Sequence, residues 1–335
     1  MSNHLIIFID GFPYELIKKL DFLNRFSYKC GLMPSIGYSI NIQAEIFAGL
    51  KADQIDFFNT WKFEPKSSPF KRLKNIKWAL GTFQDNRYLS WFFRKAIKFN
   101  YRADSLNIPY RFIDMFAPCG YSIYSGNLTE SRVLPDETFL ELDTVAHKFG
   151  LDSKEYNDSI NCLNKRINNL FDRFRLMNPN GHIVALSDHG MSRVQKAVQL
   201  DLEKEISLSA DGNFMYFLDT TMLRVWYVNQ KAKLIIETFL NSRDYGRLLN
   251  EEERISFGIA NKKWADSIFL LNEGYVFDPS FLEKGHPKAM HGYYPHLPWQ
   301  KGIFLYSGPK FFTVKDVLTT AECYAMLKEI VNVED

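Results

Sequence analysis

The sequence has 335 residues, and 46% of them are hydrophobic, which is enough for one large core or two ordinary ones. Its 41 basic and 39 acidic residues leave a net charge of only +2, so bulk charge gives no argument for nucleic-acid binding. Four cysteines without paired spacing exclude a disulfide framework and are typical of a reducing compartment; they are Cys30, Cys119, Cys162 and Cys323.

The amino terminus lacks the basic region and the long apolar run of a signal peptide. No run in the sequence approaches the roughly 18 apolar residues that a membrane span needs. These two observations predict a cytoplasmic protein.

The first predicted strand is a run of apolar residues at 5–9 (LIIFI), and Asp10 follows it directly. Ligand sites in open α/β sheets lie beyond the carboxyl ends of strands, so Asp10 is a candidate ligand. The alternative is an ordinary turn residue. Pro13 and the apolar spacing of 16–23 predict a helix after this turn.

Ser39 begins a helical pattern that ends at Gly49. Serine is a favoured N-cap residue, which is the simplest interpretation of this position. A helix N-terminus also favours anions, because its backbone N–H groups and its dipole point toward them. Ser39 is therefore also a candidate nucleophile toward a phosphate held at that helix end.

Residues 62–112 are basic and rich in aromatic side chains, with twelve Lys or Arg against three acidic residues. Within this segment, residues 87–102 predict a basic amphipathic helix. Three interpretations stay open: a partly buried cap helix, the wall of a pocket for an anionic substrate, and a patch that contacts a membrane surface. Nucleic acid is disfavoured because no recognition motif accompanies the charge.

Two further Asp and His pairs stand in the middle of the chain. Asp143 and His147 are four residues apart, a spacing that puts both on one face of a helix or lets both reach one ion from a loop. A helix is predicted from Asp152, with Glu155 completing a capping box. The apolar run 183–186 then predicts a buried strand.

Asp188 and His189 follow this strand after Ser187, and together they supply the oxygen and nitrogen ligands that zinc-type hydrolase sites use. The alternative is that Asp188 caps a helix and His189 is a surface residue. Residues 195–285 predict a small α+β insertion, with strands at 215–221, 223–229 and 267–272 and a helix at 231–241. His291, a late core strand at 301–311 and a closing helix at 320–331 complete the chain.

Taken in order, these pieces resemble the alkaline phosphatase superfamily, and most closely its type I phosphodiesterase/nucleotide pyrophosphatase branch. The resemblance lies in FIDG near the N-terminus, in Ser39 ten residues before the glycine of FAGLKAD, and in LDTVAHKFG, ALSDHGM, MHGY and FLYSGPKF. It implies an α/β fold with a central, mostly parallel sheet flanked by helices. We expect one catalytic domain over 1–335, with a cap segment at 62–138 and the α+β insertion at 195–285.

The resemblance also implies two divalent metal ions, usually zinc; oxygen and imidazole ligands accept manganese or iron as well. One ion would be held by Asp10, Asp188 and His189, with Ser39 as the reacting group. The other would be held by Asp143, His147 and His291. The branch typically has a Thr followed by Phe-Pro-Asn-His, whereas Ile40, Asn41, Ile42 and Gln43 follow Ser39 here. Asn41 or Gln43 could still donate to a phosphate oxygen.

The leading hypothesis is a metal-dependent phosphodiesterase or pyrophosphatase that works through a phosphoserine at Ser39. Its substrate would be a small phosphate ester: a nucleotide, a nucleotide-sugar, or a lipid or sugar phosphate. A phosphotransferase or phosphomonoesterase with the same site is the first alternative. The second is a catalytically silent protein that binds a membrane or a partner through 62–112. The oligomeric state is not predicted.

Overall fold

The structure is a computed structural model that describes residues 3–71, 87–101, 119–121, 133–282, 285–310, 312–313 and 315–331. Its strands are β1 (His4–Ile9), β2 (Tyr28–Met33), β3 (Trp61–Phe63), β4 (Cys119–Tyr121), β5 (Glu137–Phe139), β6 (His182–Leu186), β7 (Ser192–Arg193), β8 (Lys196–Val198), β9 (Phe214–Leu218), β10 (Met222–Tyr227), β11 (Gly246–Leu248), β12 (Ser267–Leu271), β13 (Tyr275–Phe277), β14 (Ala289–Met290), β15 (Gly302–Ser307) and β16 (Val317–Thr319). Its α-helices are α1 (Ser39–Ala48), α2 (Arg87–Tyr101), α3 (Glu141–Phe149), α4 (Lys154–Met177), α5 (Leu202–Ile206), α6 (Gln230–Asn241), α7 (Glu251–Ser256) and α8 (Thr320–Val331).

The chain folds into two compact units. The first comprises Met1–Ile55, Ser125–Gln195 and Pro287–Asp335, and the second comprises Asp56–Tyr124 and Lys196–His286. The two segments treated above as separate insertions therefore contribute to the same unit. Strand β5 begins at Glu137 and pairs with β1, so it belongs to the central sheet.

The first unit is built on a six-stranded sheet of order β16-β2-β15-β6-β1-β5. Strand β1 pairs in parallel with β5 and β6, and β16 pairs in parallel with β2. Strand β15 is antiparallel to both of its neighbours, β2 and β6. The prediction of an α/β fold with a central, mostly parallel sheet is confirmed.

Both faces of this sheet are buried, which explains why its central strands are apolar without alternation. On one face, alternate residues such as Ile7 and Ala185 pack with the apolar sides of α3 and α4. On the other face, Phe8 and Leu186 pack with α1 and α8. The sheet is therefore covered by helices on both faces.

Two local predictions differ from the structure. Residues 14–25 form two 3-10 helices (Tyr14–Lys19 and Asp21–Arg25) instead of one α-helix, because the extended backbone of Leu20 separates them. Helix α4 begins at Lys154, since the hydroxyl of Ser153 accepts from the Tyr156 N–H and caps it. Within the basic aromatic segment 62–112, residues 72–86 and 102–112 lie outside the described residues.

The second unit contains an antiparallel sheet of order β11-β12-β10-β9, and α6 lies between β10 and β11 in the chain. The fully buried Arg224 of β10 donates to the carbonyl oxygen of Trp61 at 2.8 Å, which ties the two segments of this unit together. Among the described residues, no helix is both long enough and apolar enough to cross a lipid bilayer.

Candidate active site

The candidate site lies at the carboxyl edge of the central sheet. Asp10 follows β1, and Asp188 and His189 follow β6. Strands β1 and β6 are parallel neighbours in which Phe8 pairs with Leu186, so the residues after them emerge side by side. Helix α1 begins with Ser39 after β2, another strand of the same sheet.

Ser39 contacts His189 directly. Its Oγ lies 2.9 Å from the Nε2 of His189. Helix α1 begins with Ser39 itself, and the N-cap residue is Tyr38, whose N–H donates to the Asn41 side chain at 2.7 Å. The N-cap interpretation of Ser39 is therefore wrong: its hydroxyl is left to face His189.

The ring of His189 has a defined orientation. Its Nδ1 lies 2.9 Å from the Gly190 carbonyl oxygen, so Nδ1 carries the proton that is donated there. Nε2 then presents its lone pair to the site. It lies 3.4 Å from Asp10 Oδ1 and 3.6 Å from Asp188 Oδ2. Asp10, Asp188 and His189 thus form a group whose ligand atoms could hold one metal ion.

A second group forms around Asp143. Its Oδ1 lies 3.3 Å from His147 Nε2 and 3.9 Å from His291 Nε2. His147 Nδ1 donates to the Ala289 carbonyl oxygen at 2.8 Å, which fixes this ring as Gly190 fixes that of His189. The second set of converging ligand atoms is Asp143, His291 and also His189, whose ring stacks on that of His291 at 3.8 Å.

The structure therefore brings together Asp10, Ser39, Asp143, Asp188, His189 and His291, and it places His147 beside Asp143. The family resemblance implies three separate ligands for each ion. In the structure His189 belongs to both groups, and His147 belongs to neither of the two tight sets found among the described residues.

Several atoms of the site lack the partners that buried polar groups normally have. The Oδ1 atoms of Asp10 and Asp143 and the Nδ1 of His291 are buried without a hydrogen-bond partner. In addition, the Nε2 atoms of His147 and His189 face carboxylate oxygens at 3.3 to 3.6 Å. A cation between them would be bound by these atoms, and the donor set suits zinc, manganese or iron. The residues present fit a divalent metal ion.

The acidity of these groups reflects their crowding. Burial, reinforced by the carboxylate of Asp188, raises the pKa of Asp10 to about 8. Burial also raises the pKa of Asp188. Burial opposes the charge of His189, but the surrounding carboxylates outweigh it and raise the pKa of this ring. Three carboxylates held this close repel one another, and a bound cation offsets that repulsion.

In the second group, the surroundings lower the pKa values of both Asp143 and His291. Burial favours the neutral form of Asp143, but the adjacent rings of His147 and His291 outweigh burial and lower its pKa. Burial, together with the stacked His189, holds the pKa of His291 well below its usual value. Asp143 is thus a carboxylate and His291 a neutral imidazole, the protonation states in which both residues bind metal.

Ser187 and Gly11 support the site, although the sequence patterns do not predict these roles. The buried Ser187 accepts from the Phe12 N–H at 2.9 Å and donates to the His189 carbonyl oxygen at 2.8 Å, joining the turns after β1 and β6. Gly11 has a left-handed φ of 70°, and a Cβ there would lie 3.0 Å from the Cβ of Asp143. The sequence signal was present in the small residues beside each aspartate, but their partners are distant in the chain.

Asn41 and Gln43, the predicted phosphate contacts, have different surroundings. Asn41 is fully buried: its Oδ1 accepts from Tyr38 and its Nδ2 donates to the Ile36 carbonyl oxygen at 3.2 Å. Its amide holds the turn before α1, so the prediction of a substrate contact is wrong for this residue. Gln43 is half-buried, and its Nε2 lies 3.4 Å from Asp188 Oδ2.

Comparison with known proteins agrees with this geometry. Residues 138–294, a little under half of the chain, match the family model described as type I phosphodiesterase/nucleotide pyrophosphatase. This range includes the Asp and His residues after 138, whereas Asp10 and Ser39 lie outside it. The match confirms the resemblance to the nucleotide pyrophosphatase branch of the alkaline phosphatase superfamily. No curated protein sequence matches the chain.

Solved structures of two ectonucleotide pyrophosphatase/phosphodiesterases are similar in fold. Murine family member 5, an inactive form in complex with AMP, has 16% identity and a TM-score of 0.64; the match covers 100% of this chain and 96% of that one. Human family member 5 has 17% identity and a TM-score of 0.63, with 98% and 95% covered. At this identity the likeness shows the fold.

Proposed function

We propose that the protein is a metal-dependent hydrolase that cleaves a phosphodiester or phosphoanhydride bond through a phosphoserine at Ser39. The observation that carries the proposal is the contact between Ser39 Oγ and His189 Nε2 at 2.9 Å, at a helix N-terminus and among converging acidic ligands. The family match over 138–294 supports the same class of reaction.

The helix end and the serine supply binding and attack. The first turn of α1 has backbone N–H groups and a positive dipole end that favour a phosphate at Ser39. The Ser39 hydroxyl loses its proton to solvent, its oxygen forms a bond to phosphorus, and the bond to the leaving oxygen breaks. The leaving group takes up a proton as it departs, and the phosphate on Ser39 stays esterified to the other half of the substrate. Water then attacks this phosphorus, the bond to the Ser39 oxygen breaks, the phosphorylated product is released and a proton returns to Ser39.

Asp10, Asp188 and His189 are proposed to hold one divalent ion, and Asp143, His147 and His291 the other. Such ions, when bound, favour the ionised serine and neutralise charge on the phosphoryl oxygens. The backbone carbonyls of Gly190 and Ala289 keep two of the imidazole rings oriented for this task.

A nucleotide is the proposed substrate class. The murine structure with similar fold contains AMP, which supports a nucleotide here as well. Gln43 is proposed to donate to a non-bridging phosphate oxygen, because its amide already lies beside Asp188 at the edge of the site.

The test compares hydrolysis of a chromogenic nucleotide phosphodiester with that of the matching monoester. The protein is stripped of metal with a chelator and then supplied with zinc or manganese. We expect metal-dependent cleavage of the diester, retained in Ser27→Ala, an exposed control, and lost in Ser39→Ala. Preference for the monoester would assign the protein to the phosphomonoesterase alternative. Absence of both activities in protein that binds the metal would refute the proposal.

A further inference from the structure

Helix α2 (Arg87–Tyr101) has an unusual composition that the proposed chemistry does not use. Its sequence, RYLSWFFRKAIKFNY, contains four basic residues, no acidic residue and five aromatic residues besides its terminal tyrosine. A helix rich both in basic residues and in large aromatic residues is typical of those that lie in the plane of a membrane surface.

The arrangement of these side chains is inverted relative to an ordinary surface helix. Phe92 and Phe99 are 64% and 84% exposed, and their spacing of seven residues puts them on one face of the helix. Ile97, which is only 6% exposed, points away from that face, because successive residues turn by about 100°. The aromatic face is therefore the solvent face.

Two neighbours extend this exposed face. Trp91 is 53% exposed, and the Nζ of Lys95 lies 4.2 Å from the centre of its ring. A lysine over an exposed indole places a cation and a large apolar surface at the same spot. Exposed aromatic residues grouped in this way mark an interaction surface. A single exposed apolar residue, such as Leu234 on α6, is ordinary.

We propose that the face formed by Trp91, Phe92, Lys95 and Phe99 binds an anionic lipid surface. The aromatic rings would enter the boundary between headgroups and acyl chains, and the cations would contact the lipid phosphates. Charge selects this occupant over a second copy of the same face, because two helices without acidic residues repel each other. The inference does not depend on the proposed hydrolase activity.

The experiment measures sedimentation of the full chain with vesicles of phosphatidylcholine alone and with vesicles containing about one-third phosphatidylserine. We expect binding to the anionic vesicles that weakens at high salt. The double substitution Phe92→Ser with Phe99→Ser should weaken partition at least about tenfold. Lys95→Glu should weaken it by about tenfold through charge. Leu234→Ser, an exposed apolar residue on a different helix, should bind like the parent.

Circular dichroism shows whether each variant melts at the same temperature as the parent. If the double variant does not fold, the comparison of Lys95→Glu with the parent decides the test. Equal binding of the parent and of both α2 variants would overturn the proposal, as would absence of binding to anionic vesicles. Binding to a single-stranded oligonucleotide but not to vesicles would replace the lipid by nucleic acid. Loss of self-association in the variants without any vesicle binding would replace it by a second copy. Because the experiment measures vesicle binding and not hydrolysis, a negative result does not bear on the proposed activity.

Discussion

The hydroxyl of Ser187 is predicted to be essential for the geometry of the site. It accepts from the Phe12 N–H at 2.9 Å and donates to the His189 carbonyl oxygen at 2.8 Å, and the side chain is fully buried. Ser187→Ala removes both hydrogen bonds and leaves two buried backbone groups without partners. Each such loss costs about 1–2 kcal/mol, so the free energy of unfolding should fall by about 2–4 kcal/mol.

The assay is urea denaturation of Ser187→Ala beside Ser27→Ala. Ser27 is a matched control because its side chain is exposed and its hydroxyl lies 3.4 Å from the Tyr306 carbonyl oxygen, at the limit of a hydrogen bond. The control should stay within about 0.5 kcal/mol of the parent. Zinc affinity should also fall in Ser187→Ala, because the His189 turn is no longer tied to the loop after Asp10.

A free energy of unfolding of Ser187→Ala within about 0.5 kcal/mol of the parent value would refute this reasoning. It would mean that water or a shifted backbone satisfies Phe12 and His189 equally well. An unchanged zinc affinity together with a large loss of stability would restrict Ser187 to a structural role.

Three further predictions concern other parts of the first unit. Gly11→Ala places a Cβ about 3.0 Å from that of Asp143 in a left-handed backbone, so Asp143 must shift. The metal content of the protein, measured by elemental analysis, should therefore decrease, and an unchanged metal content would contradict this. The carboxyl group of Glu45 accepts a hydrogen bond from Thr320 at 2.7 Å, and burial raises its pKa. Above the ordinary pKa near 4.5, the folded state therefore keeps a proton that the unfolded state has lost. The free energy of unfolding of the parent should therefore fall by up to about 1.4 kcal/mol per pH unit as the pH rises from the ordinary pKa to the raised one, and Glu45→Gln should lack this fall. The same pH dependence of unfolding in both proteins would contradict the prediction. Zinc at about a hundredfold excess over its dissociation constant should stabilise the protein by about 2.7 kcal/mol in thermal unfolding, and an unchanged melting temperature would exclude a metal ion bound to the folded state.

Much of the fold follows from local patterns. The run at 5–9 and the run at 183–186 are apolar on both faces because helices cover both sides of the sheet. An aspartate within two residues of the end of each run places the two carboxylates at the same sheet edge, since β1 and β6 are parallel neighbours. The four-residue spacing of Asp143 and His147 fits one face of a helix and also a loop around one ion, and the structure places both residues on α3.

What could not be predicted depends on contacts between distant segments. The position of His291 follows from the pairing of β14 with β7, and this pairing rather than the spacing of residues brings its ring onto that of His189. The buried role of Asn41 depends on the backbone of the turn before α1, which sequence spacing does not reveal. The association of 56–124 with 196–286 in one unit is likewise non-local.

The most direct test of the central claim is mass spectrometry of the metal-loaded protein, quenched in acid during turnover of a nucleotide phosphodiester. Ser35, Tyr38 and Ser39 lie between Lys29 and Lys51, so they share one tryptic peptide, and fragmentation separates them. The account predicts a covalent adduct on Ser39 alone, consisting of the phosphate still esterified to the group that the first step does not release. Both this adduct and hydrolysis should be absent in Ser39→Ala. Steady hydrolysis with no adduct on Ser39, or undiminished hydrolysis in Ser39→Ala, would contradict it.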